Sequence, residues 1–341
     1  CDWSSDVCSS DLRKIYMLTM SLFVYMGVFA GNVNGTIGDN LKWTFTDDGT
    51  LTISGTGEME HADGNSGYAW GTDNHTLDRS LIKKVVVEEG VTSLGEYIFW
   101  DCPSLTEVKL PNSLTELRKQ CFKHCTALKS IILPDNISMI EESAFEECSA
   151  LETVTFPKSL KEVSTKAFYN CNLKKVDLSQ TQVETIGMGA FAHNAQCEEV
   201  YLPKTLKTFE GEDEGAFSSC GVKKAVCSAV EPPKTISGVY DFITGEKKTD
   251  PVDWVNIFSD FDDDFVLEVP AGSEEKYRSA NGWKNAANNI ATGIRGVKAS
   301  QGKVGVYNIT GKRYMNHDDA QTVNTLQRGV YIINGKKVLV K

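Results

Sequence analysis

Cys121, His124 and Cys125 lie in the stretch CFKHC, which places three soft metal-ligand side chains within five residues. A structural zinc site usually takes four Cys or His ligands as two separated pairs, and the sequence supplies no second pair. The alternative is a packed turn in which Cys125 belongs to the core. The spacing favours the packed turn, so we predict no metal ion here.

Three carboxylates in FSDFDDDF, Asp260, Asp262 and Asp264, have the i, i+2, i+4 spacing of the first ligands of a calcium loop. An EF-hand also needs a glycine at the sixth loop position and a glutamate at the twelfth. Phe265 and Ala271 stand there instead. An EF-hand is therefore excluded, and the choice left is between a weak surface cation site and a solvated acidic loop.

A third candidate is Cys148, which follows Glu146 and Glu147 in AFEECSALETVTFP (144–157). This stretch is not unique, because IFWDCPSLTEVKLP (98–111) and CFKHCTALKSIILP (121–134) precede it at steps of 23 residues, and weaker copies start at 167, 190 and 216. A catalytic constellation normally occurs once, whereas a structural unit recurs. The recurring side chains are apolar and the varying ones are charged, so we predict a repeat core with solvated carboxylates beside it. The predicted core residues are Phe99, Cys102, Phe122, Cys125, Phe145, Cys148, Phe168, Cys171 and Phe191.

Other catalytic patterns are missing from the sequence. His61, His75, His193 and His317 are scattered, no Ser or Cys lies in a nucleophile elbow, and no glycine-rich phosphate loop precedes a helix. Two exposed acids of a glycan hydrolase remain conceivable, but the sequence favours no particular pair. We predict no enzyme and no cofactor.

The N-terminal region reads as two segments that precede the folded part. Residues 1–12, CDWSSDVCSSDL, resemble the in-frame translation of a sequencing-library adapter, so we expect them to be foreign to the native chain. Residues 13–30 follow as a basic pair, an apolar run of 16 residues, and Val28 and Ala30 at a small-residue cleavage site. This pattern predicts a signal peptide and an exported protein, with an uncleaved anchor as the alternative.

The net charge of the chain narrows the classes of partner that it can bind. Without residues 1–30 the chain keeps 43 acidic and 33 basic residues, a net charge of −10. Such a charge argues against nucleic acid and anionic membranes as partners, because both need a basic footprint.

Eight cysteines remain, and those in one phase of the repeat are expected to be free, buried thiols. Only Cys220 and Cys227 form a plausible local disulfide pair.

The repeats predict a stack of short coils. Residues 31–80 are expected to form a β-hairpin cap, over 41–59, and a loop that includes Tyr68 and Trp70. Residues 81–230 hold the repeats, each with a short strand, a proline, a second extended piece and one helical turn such as EESAFEEC (141–148). Stacking such units at about 4.8 Å per coil would bury their apolar sides.

Leu105-x-x-Val108-x-Leu110 and the in-register Phe and Cys positions resemble the BspA-like leucine-rich repeats (leucine-rich repeat type 5) of bacterial surface proteins. The resemblance covers about residues 41–226. It implies a leucine-rich repeat solenoid of short parallel strands with short helical turns. The sequence departs from the pattern where Asn194 replaces the phased cysteine, so we expect looser coils there.

Two segments follow the repeats. Residues 231–296 break the period and are expected to form a C-terminal cap or linker with a strand and a short amphipathic helix carrying Tyr277 and Trp283. Residues 297–341 predict a small antiparallel β module with a hairpin turn at Asn334-Gly335. This module resembles the C-terminal sorting domain of type IX secretion substrates, with a plain β-sandwich end module as the alternative.

The x positions of the repeat strand should face outward as a stripe across successive coils. Those residues are Lys109, Ile132, Thr155, Asp177 and Tyr201. The stripe is either a binding surface or simply a solvated strand face. The resemblance to BspA-like proteins implies a cell-surface adhesin for protein or glycoprotein ligands on host or other cells. We expect the chain to be a monomer. A structural rod that presents a terminal module is the alternative, and a glycan-active enzyme is the third hypothesis.

Overall fold

The computed structural model describes residues 33–59, 71–72, 75–238, 246–252, 255–259, 261, 264–292, 305–308, 313–316, 329–333 and 336–340. The predicted adapter and signal-peptide segments, Tyr68, Trp70, Asp260, Asp262 and the turn at Asn334-Gly335 lie outside these residues. Short strands make up most of the described chain. They are β1 (Val33–Ile37), β2 (Leu41–Phe45), β3 (Thr50–Gly55), β4 (Gly71–Thr72), β5 (His75–Thr76), β6 (Lys84–Val87), β7 (Ser93–Leu94), β8 (Glu107–Lys109), β9 (Glu116–Leu117), β10 (Ser130–Ile132), β11 (Met139–Ile140), β12 (Thr153–Thr155), β13 (Glu162–Val163), β14 (Lys175–Asp177), β15 (Thr185–Ile186), β16 (Glu199–Leu202), β17 (Thr208–Glu210), β18 (Lys224–Cys227), β19 (Lys234–Ile236), β20 (Val266–Val269), β21 (Ile290–Thr292), β22 (Gly305–Asn308), β23 (Arg313–Asn316), β24 (Gly329–Ile333) and β25 (Lys336–Val340).

Helical structure is sparse in the described residues. One α-helix, α1 (Glu274–Ser279), and two 3₁₀ helices, Arg79–Leu81 and Lys284–Asn289, accompany the strands. None of these helices is long and apolar enough to span a bilayer.

An antiparallel sheet closes the N-terminal end. The predicted hairpin is β2 and β3, and β1 adds a third antiparallel strand, which the sequence pattern does not predict. Trp43 and Ile53, a cross-strand pair, are both fully buried. On its other side β3 pairs in parallel with β6, Leu51 opposite Val85, so the cap leads directly into the repeats.

Two parallel ladders run through about eight turns of a β-solenoid, which confirms the predicted fold class. The first ladder is hydrogen-bonded in three stretches, which are β6 with β8, β10 with β12, and β14 with β16, β18, β20 and β21. The second ladder is continuous over β7, β9, β11, β13, β15, β17 and β19. Register follows the 23-residue step, for example Ile140 opposite Leu117 and Val163. Inward side chains such as these are buried, because successive residues of a strand point to opposite faces.

The turn in each coil forms a third ladder of hydrogen bonds instead of a helical turn. Within 141–148 the amides of Ala144 and Cys148 donate to carbonyls three residues back, as in a tight turn. Ser143 and Glu147 have φ values of 57° and 61°, which prevents the turn from continuing as a helix. The amide of Phe145 is thereby free to donate to the Ala167 carbonyl of the next coil, at 2.8 Å. Equivalent bonds recur from Phe99, Phe122, Phe168 and Phe191.

A column of phenylalanine rings fills the centre of the solenoid. Successive centroids are 5.1–5.4 Å apart, with interplanar angles from 2° to 17°. The column consists of Phe99, Phe122, Phe145, Phe168, Phe191, Phe217 and Phe258. Phe258 was not predicted, since it follows Phe217 by 41 residues and falls outside the repeat period.

The phased cysteines are buried, and their thiols also donate hydrogen bonds. Sγ of Cys148 lies 3.1 Å from the Phe122 carbonyl oxygen of the preceding coil, and Cys171 makes the same contact with Phe145. At the next coil the fully buried Asn194 donates through Nδ2 to the Phe168 carbonyl at 2.9 Å. The expected looser coil is therefore wrong at this position, because the amide preserves the inter-coil contact.

The ladders continue past residue 230, the expected end of the repeats. β19 pairs in parallel with β17, and β20 with β18. Tyr277, on α1, donates its hydroxyl to the Ala229 carbonyl at 2.7 Å, and Trp283 Nε1 donates to the Pro233 carbonyl at 3.0 Å. The predicted strand and amphipathic helix of this segment thus anchor it to the solenoid.

The C-terminal region contains a separate antiparallel sheet. Its strand order is β23-β22-β24-β25, and β24 pairs with β25 as the two arms of the predicted hairpin.

Candidate functional site

The predicted stripe residues occupy equivalent outward positions on the first ladder. Ladder pairing places Ile132 opposite Thr155 and Asp177 opposite Tyr201. Lys109, Ile132, Thr155 and Asp177 are exposed, and Tyr201 is half-buried. A second outward row lies two residues earlier on each strand. It consists of Lys84, Glu107, Ser130, Thr153, Lys175, Glu199 and Lys224. We call these two rows together the first-ladder face.

The C-terminal half of the first-ladder face is a charged network around Tyr201. Its ring lies between two ammonium groups, with Lys175 Nζ 4.4 Å and Lys224 Nζ 5.7 Å from the centroid. Its hydroxyl donates to Glu199 at 3.1 Å. Lysine over an aromatic face is attractive, so these side chains hold the ring in place.

Asp177 is part of the same network and stays ionised. Its carboxylate lies 3.1 Å from Lys175 Nζ and accepts hydrogen bonds from the amide and hydroxyl of Ser179. Partial burial alone would raise the pKa of Asp177, but the Ser179 and Lys175 hydrogen bonds outweigh it, and the pKa lies below its usual value. The hydrogen bond to Asp177 in turn raises the pKa of Lys175.

The centre of the first-ladder face is uncharged. β10 and β12 present Ser130, Thr153 and Thr155 around Ile132, whose side chain is 72% exposed. This two-stranded sheet is separate from its neighbours, since β8 is not hydrogen-bonded to β10 as a ladder, nor β12 to β14. An exposed isoleucine amid hydroxyls is the largest apolar protrusion on this face.

The CFKHC stretch does not gather its ligands into one site. Cys121 and Cys125 are buried, and Cys125 Sγ donates to the Phe99 carbonyl at 3.2 Å. His124 instead points along the outer surface and contacts Glu147. Among the described residues, no cluster of three His, Cys, Asp or Glu side chains is arranged to hold a metal ion.

Of the two carboxylates beside Cys148, which were both expected to be solvated, Glu147 is partly exposed and Glu146 is not. Glu146 is buried, and its carboxylate lies 2.8 Å from Lys123 Nζ of the preceding coil. Glu147 pairs with His124, and Glu142 lies 2.8 Å from Lys119 Nζ. Each contact spans 23 residues, so a basic turn lies against an acidic one. These acids fix the register of two coils.

The thiols are unsuited to nucleophilic chemistry. Burial raises the pKa of Cys121, Cys171 and Cys197, so little reactive thiolate forms at neutral pH. The possible pairing of Cys220 with Cys227 is wrong, because both thiols are free. Cys220 donates to the Phe191 carbonyl at 3.1 Å, whereas Cys227 lies 3.2 Å from the Tyr277 hydroxyl.

One buried carboxylate, Glu210, has the raised pKa that a general acid needs, and burial is the main cause. It lies 2.6 Å from Lys247 Nζ, which lowers the pKa again. This ion pair connects β17 to the segment 246–252, whose residues Asp250 and Val252 exchange backbone hydrogen bonds with Ser237 and Thr235. Glu210 therefore has a structural partner at the end of the second ladder.

Comparison with known proteins agrees with this architecture. The family model of the BspA type leucine rich repeat region matches this chain in six copies, over residues 73–149 and 115–231. No curated protein matches the chain in a sequence comparison.

Three solved structures are similar to the chain. A leucine rich cell surface protein from Faecalibacterium prausnitzii is 16% identical with a TM-score of 0.38, over 79% of this chain and 96% of that chain. The T. pallidum leucine rich repeat protein TpLRR is 26% identical with a TM-score of 0.40, over 56% and 86%. A leucine-rich repeat protein from Bacteroides ovatus is 19% identical with a TM-score of 0.32, over 68% and 70%.

The repeat period, the parallel ladders and the six matched copies lead to one assignment: residues 73–231 are a BspA-type leucine-rich repeat region.

Proposed function

We propose that the chain is a non-catalytic, exported binding protein that recognises protein or glycoprotein ligands on host or other cells through the first-ladder face. The 72% exposure of Ile132 at the uncharged centre of this face carries the proposal. Apolar and aromatic groups dominate binding hot spots, and solenoid arrays bind partners through extended faces. Tyr201, held between two lysines, supplies a second anchor.

A pull-down with purified matrix proteins and host glycoproteins tests this proposal. Ile132→Ala and Tyr201→Ala should each weaken capture about tenfold or more, because truncation of an anchor typically costs at least ~1–2 kcal/mol. Met139→Ala is the matched control, since Met139 is also an exposed apolar side chain but lies on the second ladder. Capture that is absent, or that all three variants preserve, would leave the structural-rod alternative.

The surface location is a separate part of the proposal. Residues 297–341, which include the antiparallel sheet β22–β25, would act as a sorting module of the type IX secretion kind. The subcellular fraction of a tagged chain with and without residues 297–341 tests this. Loss of surface display on deletion supports a sorting role, and unchanged display removes it.

A glycan-active enzyme is the alternative from another class. Screening the full chain against a glycan panel distinguishes the two, and turnover lost on changing a single carboxylate would replace the binding proposal.

A further inference from the structure

The charges on the first-ladder face follow a self-complementary order about its uncharged centre. In the Lys109 row, the position one coil before Ile132 is Lys109, and the position one coil after Thr155 is Asp177. In the other row, Glu107 precedes Ser130 and Lys175 follows Thr153. One coil further from the centre on each side, Lys84 occupies the position that corresponds to Glu199. In the Lys109 row, the apolar Val86 likewise corresponds to Tyr201.

We propose that the first-ladder face binds a second copy of this chain, in an antiparallel face-to-face dimer. The twofold axis would run parallel to the strands and pass between β10 and β12. This inference rests on the proposed function, because it takes the same face as the binding surface and names its partner.

The twofold operation reverses the order of the coils but keeps each outward row opposite itself. Lys109 then faces Asp177 of the second copy, Glu107 faces Lys175, and Lys84 faces Glu199. All three charged contacts are therefore between opposite signs, and each occurs twice by symmetry. The surface of an unrelated partner would match this order of charges only by coincidence.

The centre of the face fits the same arrangement. Ile132 would lie opposite Thr155 of the second copy, and along the stack it would be offset from the second Ile132 by one coil spacing, about 4.8 Å. The most exposed apolar side chain of the face is thus buried against its own symmetry mate and against threonine methyl groups. Ser130 would face Thr153, so the uncharged rows also match.

The charged groups of the face are available for this exchange. Lys109 is exposed and makes no ion pair with any residue that the structure describes. Glu107 and Lys175 have intrachain partners, Lys84 at 2.7 Å and Asp177 at 3.1 Å, and both remain exposed. Exposed pairs contribute little on their own, so adding a partner across the interface extends each pair into a network.

The size of the face makes the dimer weak. Six strands at about 4.8 Å and three residues in width cover on the order of 300 Å², well below the roughly 800 Å² per partner of a stable interface. Self-association would therefore matter at high local concentration. The antiparallel order suits copies displayed on two facing cell surfaces. The proposal therefore predicts a monomer–dimer equilibrium, whereas the sequence led us to expect a monomer.

Sedimentation equilibrium of the full chain between roughly 10 µM and 1 mM tests the proposal. Lys109→Glu places two glutamates opposite two Asp177 carboxylates, and Asp177→Lys places two lysines opposite two Lys109 groups. Each variant alone should associate about tenfold more weakly than the wild type. An equimolar mixture restores both opposite-sign contacts, so it should form a heterodimer of roughly wild-type affinity.

Lys161→Glu makes the same charge change on an exposed lysine outside the face and should leave association unchanged. Melting temperatures of all variants establish that each is folded. A wild type that stays monomeric throughout, or a mixture that fails to associate better than either variant alone, overturns the inference. If the monomer nevertheless captures a matrix protein through Ile132, the proposed function stands and only the self-association fails.

Discussion

Asn194 Nδ2 lies 2.9 Å from the carbonyl oxygen of Phe168, one coil earlier in the solenoid. Cys171 Sγ makes the equivalent contact with Phe145 at 3.1 Å, and Cys148 makes it with Phe122 at 3.1 Å. Asn194 does more than the thiols, because its Oδ1 also accepts from the amide of Leu173 at 2.9 Å. The position requires a small hydrogen-bond donor, and an amide serves it as well as a thiol.

Replacing Asn194 with leucine should therefore destabilise the fold by about 2–4 kcal/mol, since the Phe168 carbonyl and the Leu173 amide would be left buried without this partner. Asn194→Cys should cost only about 1–2 kcal/mol, because a thiol can still donate to Phe168. Urea unfolding measures both values. Asn172→Leu is the control. The half-buried side-chain amide of Asn172 makes no hydrogen bond described in the structure, so this effect should stay within about 0.5 kcal/mol. Equal costs for the leucine and cysteine variants would contradict the donor requirement.

The sequence predicts the phase of the core because Phe and Cys recur at a fixed step. It could not predict that Asn194 joins the cysteine column, since the sequence shows only a departure from the repeat. Phe258 was missed for a different reason. The segment after Cys227 has no period, and only the folded chain brings Phe258 to 5.2 Å from Phe217.

Raising the pH should weaken the fold through its buried thiols. Burial raises the pKa of Cys227 to about 11 and that of Cys220 to about 12, against an ordinary value near 9. Between these values the unfolded chain loses the thiol proton while the folded chain keeps it. The stabilisation is thus fully present below about pH 9 and is lost as pH rises, by up to about 1.4 kcal/mol per pH unit for each thiol.

Urea unfolding between pH 8 and pH 10.5 measures this loss, with Cys227→Ala as a variant that should show a shallower decline. Iodoacetamide provides an independent check, because the eight buried thiols should react only after unfolding. Rapid alkylation of Cys220 or Cys227 in the native chain would show that the thiols are accessible and would contradict the prediction.

The outward positions of the first-ladder face were readable from the strand spacing, since alternate residues point away from the core. The breaks beside β8 and β14 were not readable, because each coil has a similar strand and only the stacked ladders reveal where pairing lapses. The ion pairs between neighbouring turns could not be predicted from the sequence either. KQCFKH (119–124) and ESAFEE (142–147) look like variable decoration until the coils stack and each base meets an acid.

Lys123 and Glu146 should be energetically coupled. Glu146 is buried, so Lys123→Met would leave a carboxylate without its cation, at a cost of roughly 1–2 kcal/mol. A double-mutant cycle with Glu146→Gln should give a coupling of about 1 kcal/mol. The pair Lys207–Glu184 is the matched control at 2.6 Å, and it is 66% and 49% exposed. Its coupling should be below about 0.5 kcal/mol, and a value equal to that of Lys123–Glu146 would show that burial is irrelevant.

Gly215 is the position where the C-terminal segment docks most closely. A Cβ atom there would lie 1.8 Å from the carbonyl oxygen of Asn256. Gly215→Ala should therefore push residues 256–258 away from the solenoid and destabilise it by about 1–3 kcal/mol. The ladder bonds from Phe217 to Ile257 at 3.0 Å, and from Ile257 to Gly282 at 3.2 Å, should weaken with it.

Hydrogen exchange resolves this effect by residue. In the Gly215→Ala variant the amides of Phe217 and Ile257 should lose protection, whereas the amide of Phe145, bonded to Ala167 at 2.8 Å in the middle of the stack, should keep it. Ser228→Ala, an exposed change near the same end, should alter neither. Uniform loss of protection along the stack would mean that the coils unfold as one cooperative unit, and unchanged protection at Phe217 would mean that the close approach at Gly215 does not hold the segment in place.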